Sequence, residues 1–158
     1  MENKGNVFTG FIGALIGAAI GAVLWAAVGI FGYIASVVGL VIAFLAGKGY
    51  DLFKGRQGAA KVVVLILCVV LAVVAGNAGS YAWQIHDVYE EETQGLSAEE
   101  MNYVVSEAEF FELMIDDSEI RTGFLKDCGM GLFFAALGCI GILRDAGKKK
   151  SSAPAEQE

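Results

Sequence analysis

The 158-residue chain is 56% apolar, with a mean hydropathy of +0.58, 21 glycines and a single proline. That is too apolar for an ordinary soluble domain of this length, and the 18% of charged residues cluster outside four long apolar stretches. A small polytopic membrane protein follows, and the net charge of -7 argues against nucleic acid as a partner.

Residues 1–6 are polar, and residues 7–47 then carry no charge at all. A signal peptide needs a short apolar region and a small-residue cleavage site before polar mature sequence, so this stretch reads as retained structure. At 1.5 Å per residue it would make a helix of roughly 60 Å, about twice the hydrocarbon thickness, and must fold back once. Gly29 and Gly32, among Trp25, Phe31 and Tyr33, place the turn at residues 28–32. The first span is then 7–27 and the second 31–47. A third, 62–85, opens after Lys61 with a β-branched run and ends at the Trp83 to His86 edge. The fourth covers 124–143, closed by Arg144. Residues 1–147 read as one transmembrane domain, and 148–158, polar and without apolar periodicity, as a disordered tail.

An even number of spans puts both termini on one side. On that side fall 9 of the 11 basic residues, leaving only Arg121 and Lys126 opposite, so both termini are expected in the cytoplasm. Of the 18 carboxylates, 13 lie between Asp87 and Asp127, which makes the extracytoplasmic connection strongly anionic. The cytoplasmic lysines and arginines match anionic lipid headgroups.

Small residues recur along the spans. Gly13, Gly17 and Gly21 form one four-residue row on the first helix, beside a second row of Gly10, Ala14, Ala18, Ala22 and Ala26. The spacing resembles a glycine zipper. The second helix repeats the pattern with Ala35, Gly39, Ala43 and Gly47, and the fourth with Gly131, Ala135 and Gly138. In lipid there is little hydrophobic drive between helices, and small side chains allow the close approach that replaces it. Such faces tighten the chain's own bundle; two rows on one helix also leave room for a homo-oligomer or a membrane protein partner.

Asn77, Ser80, Tyr81 and Gln84 share one face of the third helix, and Lys126 and Asp127 enter the membrane at similar depth on the fourth. Polar groups at that depth turn toward protein or water. Two readings stand: a ligand pocket between the outer helix ends, or hydrogen bonding across helices. In the acidic segment 87–122, Ser97 and Glu100 fit a capping box, and apolar residues from Met101 to Ile115 recur at helical spacing. One amphipathic helix over 98–115 is expected. Its Glu-rich polar face favours contact with the bundle or a partner over insertion among anionic lipids.

Cys68, Cys128 and Cys139 lack CxxC spacing, and the single His86 beside Asp87 makes neither a triad nor a zinc set. Neither a P-loop nor a dinucleotide fingerprint is present, and the acidic clusters lack EF-hand spacing. No catalytic residue, metal or cofactor is expected. The stretches GALIGAAIGAVLW, GLVIAFLAGKGYDLFKG and LKDCGMGLFFAALGCIGIL together resemble a group of uncharacterised small, glycine-rich bacterial membrane proteins. That resemblance implies a bacterial cytoplasmic membrane and brings no activity with it.

The expected architecture is an all-α, four-helix transmembrane bundle with a short extracytoplasmic amphipathic helix between helices three and four. The expected role is a non-enzymatic scaffold or accessory subunit acting through helix packing and its acidic module. The alternative is a small oligomeric transporter or channel for a cation or small solute, with the acidic segment as its vestibule.

Overall fold

A computed structural model of the chain describes residues 5–30 and 37–151, with the side chains of 5–29 and 37–141. Within these limits the chain is all helical: α1 (Val7–Ile30), α2 (Val38–Leu52), α3 (Ala59–Thr93), α4 (Ala98–Met101), α5 (Glu107–Asp116) and α6 (Ser118–Ser151). Three segments, Val7–Gly29, Ala59–Thr93 and Ser118–Gly141, are long and apolar enough to cross a membrane. The 15 residues of α2 rise about 22 Å, short of the roughly 30 Å of hydrocarbon.

Several boundaries differ from those expected. Asn6 starts α1, its side-chain oxygen accepting from the Phe8 amide at 3.0 Å, and the helix runs through Val28 and Gly29 to Ile30. Residues 28–30 of the expected turn are therefore helical, and residues 31–36, Ala35 among them, are outside the described residues. The second helix begins at Val38 and continues past Gly47 to Leu52. α3 is longer at both ends than 62–85, starting behind Gly58 at φ 102. α6 starts at Ser118 because the Asp117 carboxylate accepts from the amides of Glu119 and Ile120 at 2.7 and 3.2 Å. It runs on through the lysine run to Ser151, against a disordered tail from 148. The remainder of that tail, 152–158, is outside the described residues.

The glycine contacts give the packing order. Gly13 lies against Gly49, Gly17 against Leu45 and Gly21 against Ile42, so α1 and α2 run antiparallel. Gly39 meets Gly131, and Gly138 meets Ala43 and the Leu40 backbone, so α2 and α6 run parallel. Gly76 of α3 meets Trp25 and the Ala22 carbonyl of α1, while Gly29 meets Ser80. Both small rows of α1 are thus occupied within the chain: the glycine row by α2, and Ala14 and Ala18 in a core completed by Trp25, Ala43, Cys68, Val73 and Ala135. Glycines and alanines pack the interior around Trp25, Tyr50, Ile42 and Leu65, while Val23, Phe44, Val63, Leu125 and Phe133 are exposed, an outer surface suited to lipid.

At one end, the turn from α2 to α3 wraps around Tyr50, whose hydroxyl donates to the Arg56 carbonyl at 2.6 Å. Lys54 takes φ 53 to make this turn. Lys61, 3% exposed, places its ammonium 2.7 and 2.8 Å from the two Asp51 oxygens and 3.3 Å from Gln57 Oε1. This pair joins the end of α2 to the start of α3.

Two predictions follow from this packing. Gly17→Val forces a side chain into the Leu45 carbonyl and should cost about 1–3 kcal/mol of unfolding free energy in detergent. Gly129→Val, on the same kind of helix but with open space around it, should stay within about 0.5 kcal/mol. At the turn, Asp51→Asn strands the buried Lys61 ammonium and should cost about 1–3 kcal/mol, the half-exposed aspartate tempering the loss. Lys61→Met removes the charge with its desolvation cost and should unfold within about 1 kcal/mol of the parent in the same assay.

Candidate functional site

Two members of the polar stripe of α3, Asn77 and Tyr81, reach α6 where the two helices cross, while Ser80 lies against Gly29 of α1. Asn77 is 2% exposed and joins three helices. Its Nδ2 donates to the Phe124 carbonyl at 3.1 Å and to Cys128 Sγ at 3.3 Å, and its Oδ1 accepts from Trp25 Nε1 at 3.4 Å. Both amide protons and the amide oxygen are thereby used inside the protein. Ser80 is also buried, and Gln84 Nε2 folds back to donate to its hydroxyl at 3.0 Å and its carbonyl at 3.2 Å. The Tyr81 hydroxyl donates to Asp127 Oδ2 at 3.0 Å, and its ring stands edge-on to Phe124 at 5.5 Å.

Of the six sequence-predicted residues, Asn77, Tyr81 and Asp127 meet at the α3–α6 contact. Ser80 and Gln84 pair with each other one turn away, and Lys126 is exposed on α6. Trp25 and Cys128 were not among the candidates, yet they complete the Asn77 set. This arrangement bonds helices together and leaves the Asn77 amide no spare donor for a ligand.

The open space lies beside that stripe. A cavity of about 380 Å³, within the range of small-molecule sites, sits where α3, α5 and α6 converge. α3 supplies Ala78, Tyr81, Ala82 and Ile85; α5 supplies Phe111 and Ile115. α6 closes it with Ile120, Arg121, Phe124 and Leu125. The wall is apolar apart from Arg121, since the Tyr81 hydroxyl is turned to Asp127.

The acidic module holds α5 over this cavity. In place of one helix over 98–115, α4 and α5 are separated at 102–106. The Ser97–Glu100 capping box forms, with bonds of 2.8 and 3.3 Å. Ser106 then caps a new helix by accepting from the Glu109 amide, and its extended backbone, ψ 154, cannot continue the old one. Contacts to α3 reinforce the break. Tyr89 donates to the Val105 carbonyl at 3.2 Å and packs on Phe110 at 5.4 Å, and His86 Nδ1 lies 2.7 Å from Glu107 Oε1. The apolar run of α3 ends before His86, so this latch stands beyond the membrane-crossing part of the helix.

Among the described residues, no group of three or more His, Cys, Asp or Glu side chains is placed to hold a metal, and the three cysteines are free. Compared with family models, curated proteins and solved structures, the chain matches none.

The latch is pH-dependent. The hydrogen bond to Glu107 raises the His86 pKa above its ordinary value, aided by the charges of Glu107, Glu90 and Asp87. A raised pKa means that the stabilisation is complete below the unfolded value near 6.5 and is lost as pH rises through the folded one. Amide exchange across α5, corrected for intrinsic rate, should therefore show less protection at pH 8.5 than at pH 6. His86→Gln should flatten this difference.

Proposed function

We propose that the protein is a multi-pass, non-enzymatic component of the cell membrane, a scaffold or accessory subunit that presents the acidic module of α4 and α5 on the extracytoplasmic side. The observation that carries this reading is the docking of α5 on α3 through His86–Glu107 and Tyr89–Phe110, which holds the module on the helical body. The carboxylates of Glu99, Glu109 and Glu112 in the module, and of Glu90 and Glu92 at the adjoining end of α3, are left exposed for a cationic partner surface. Small-residue packing between helices supplies the rigid base, and α2, packed between α1 and α6, is the remaining span of a four-span reading. Both termini are cytoplasmic in this reading, with the basic residues of the α2–α3 turn on the same side.

Transport is less well supported. The interior between the helices is filled by Trp25, Ile42, Leu65 and Val73 together with alanines. The buried polar groups Asn77, Ser80 and Lys61 are bonded within the protein, two near one end and one near the other.

The test combines topology with function. In intact cells, a membrane-impermeant maleimide should label Glu100→Cys and reach Lys149→Cys only after permeabilisation, in a background lacking the three native cysteines. Photo-crosslinkers at Glu92 and Glu109 should then give a discrete protein adduct that weakens at high salt. Labelling of both cysteines from one side overturns the topology. Ion or solute flux in liposomes without an adduct overturns the scaffold reading in favour of transport.

A further inference from the structure

We propose that the α3–α5–α6 cavity seats one acyl chain of a bilayer phospholipid with a primary-ammonium headgroup, of the ethanolamine type, with Arg121 on its phosphate. This rests on the membrane placement above and not on any protein partner.

The cavity has the right neighbourhood for such a lipid. It opens between the outer ends of α3 and α6, two helices long and apolar enough to cross a membrane. Its Leu125 wall is 69% exposed, and about two turns along α6 Phe133 is exposed as well. A chain can therefore enter from the bilayer without crossing water. The interior offers aromatic and aliphatic surface from Ile85, Phe111 and Phe124, with no free polar group that a hydrocarbon chain would leave unsatisfied.

The charges choose the headgroup. Arg121 is the one charged residue in the lining. Asp117, one helical turn before it, would ordinarily pair with it, but its carboxylate caps α6 instead. Among the described residues no carboxylate lies within ion-pair distance of Arg121, and its planar guanidinium suits phosphate oxygens. On α5 the exposed carboxylates Glu112 and Asp116 form a row beside the lining residues Phe111 and Ile115, about 100° round the helix and outside the lining itself. A headgroup carrying both a phosphate and an ammonium answers both signs. An ammonium with three donors bonds carboxylates in a way a quaternary amine does not, and a net-negative headgroup meets repulsion from the acidic module.

The test uses the full chain, delipidated and reconstituted in mixed vesicles doped with a photoreactive phosphatidylethanolamine carrying a diazirine in one chain. Parallel samples carry the phosphatidylglycerol or phosphatidylcholine probe. Digestion should map the phosphatidylethanolamine adduct to the peptides containing Phe111 and Phe124, with about tenfold less adduct from phosphatidylglycerol. Arg121→Gln, an exposed substitution that leaves the packing intact, should lower the adduct about tenfold, and Arg121→Lys should recover part of it. Ala82→Phe should fill the cavity and abolish the adduct. Equal labelling by all three headgroups, the behaviour of a pocket for any apolar chain or for a hydrophobic segment of a partner, overturns the proposal. So does an adduct at these peptides that survives Arg121→Gln undiminished. Either result leaves the cysteine-labelling topology and the partner adduct untouched, so the lipid seat and the scaffold reading fail separately.

Discussion

Where Gly13 meets Gly49 and Gly39 meets Gly131, the added carbon of even an alanine would collide with a carbonyl of the facing helix. These backbone contacts set how near α1, α2 and α6 lie, and the rest of the molecule is arranged around them. Once the backbones touch, Trp25 can reach across to Gly131 and Asn77, and Ala43 and Ala135 can fill a core with little volume to spare. In lipid, where apolar side chains gain nothing by leaving the solvent, dispersion between close surfaces and a few hydrogen bonds must provide the cohesion. Many of the large residues, Phe44 and Phe133 among them, are accordingly turned outward.

The hydrogen bonds stand beside the small-residue contacts, next to Gly76 on α3 and near Gly49 on α2. Near one end, Asn77 holds α1, α3 and α6 together, and Tyr81 holds α3 to Asp127. Near the other end, Lys61 and Asp51 fasten α2 to α3. An amide at a helix crossing costs much if unpaired and adds specificity when paired, which fixes the rotation of α3 about its axis. That rotation decides what faces the cavity: with Asn77 toward Trp25, the neighbouring Ala78, Ala82 and Ile85 line the space under α5.

Much of this was legible in the residues and some was not. The four-residue repeats on the first, second and fourth helices marked the faces that touch, because small-residue spacing is a local property of one helix. The Ser97 capping box was equally local. The break at 102–106 was not legible, since the apolar spacing runs through it unbroken; Ser106 signals it only when read as a cap, and Tyr89 and His86 act from a different helix. The same holds for the polar stripe. Sequence put Asn77, Ser80, Tyr81 and Gln84 on one face, but Trp25 is 52 positions from Asn77, and nothing in its local sequence marks it as the partner. Lys61 counted only as a positive charge for orientation, and its burial against Asp51 emerges only when the turn folds around Tyr50.

The two ends of the molecule carry their charge differently, and this follows from how each is closed. The α2–α3 end is closed by a six-residue reach from Tyr50 to Arg56 and by an ion pair that compensates the buried Lys61 charge. The α5 end is closed by a short helix held through a histidine, two aromatic rings and one backbone carbonyl. α5 has no buried residue of its own, so few apolar contacts resist its opening, and segments of this kind open at the low end of the stability range. The cavity beneath it is thus bounded by two firm walls, α3 and α6, and one that yields. A chain entering from the side of Leu125 would replace the missing apolar contacts under Phe111 and Ile115, and the helix that covers the cavity would be steadied by what fills it.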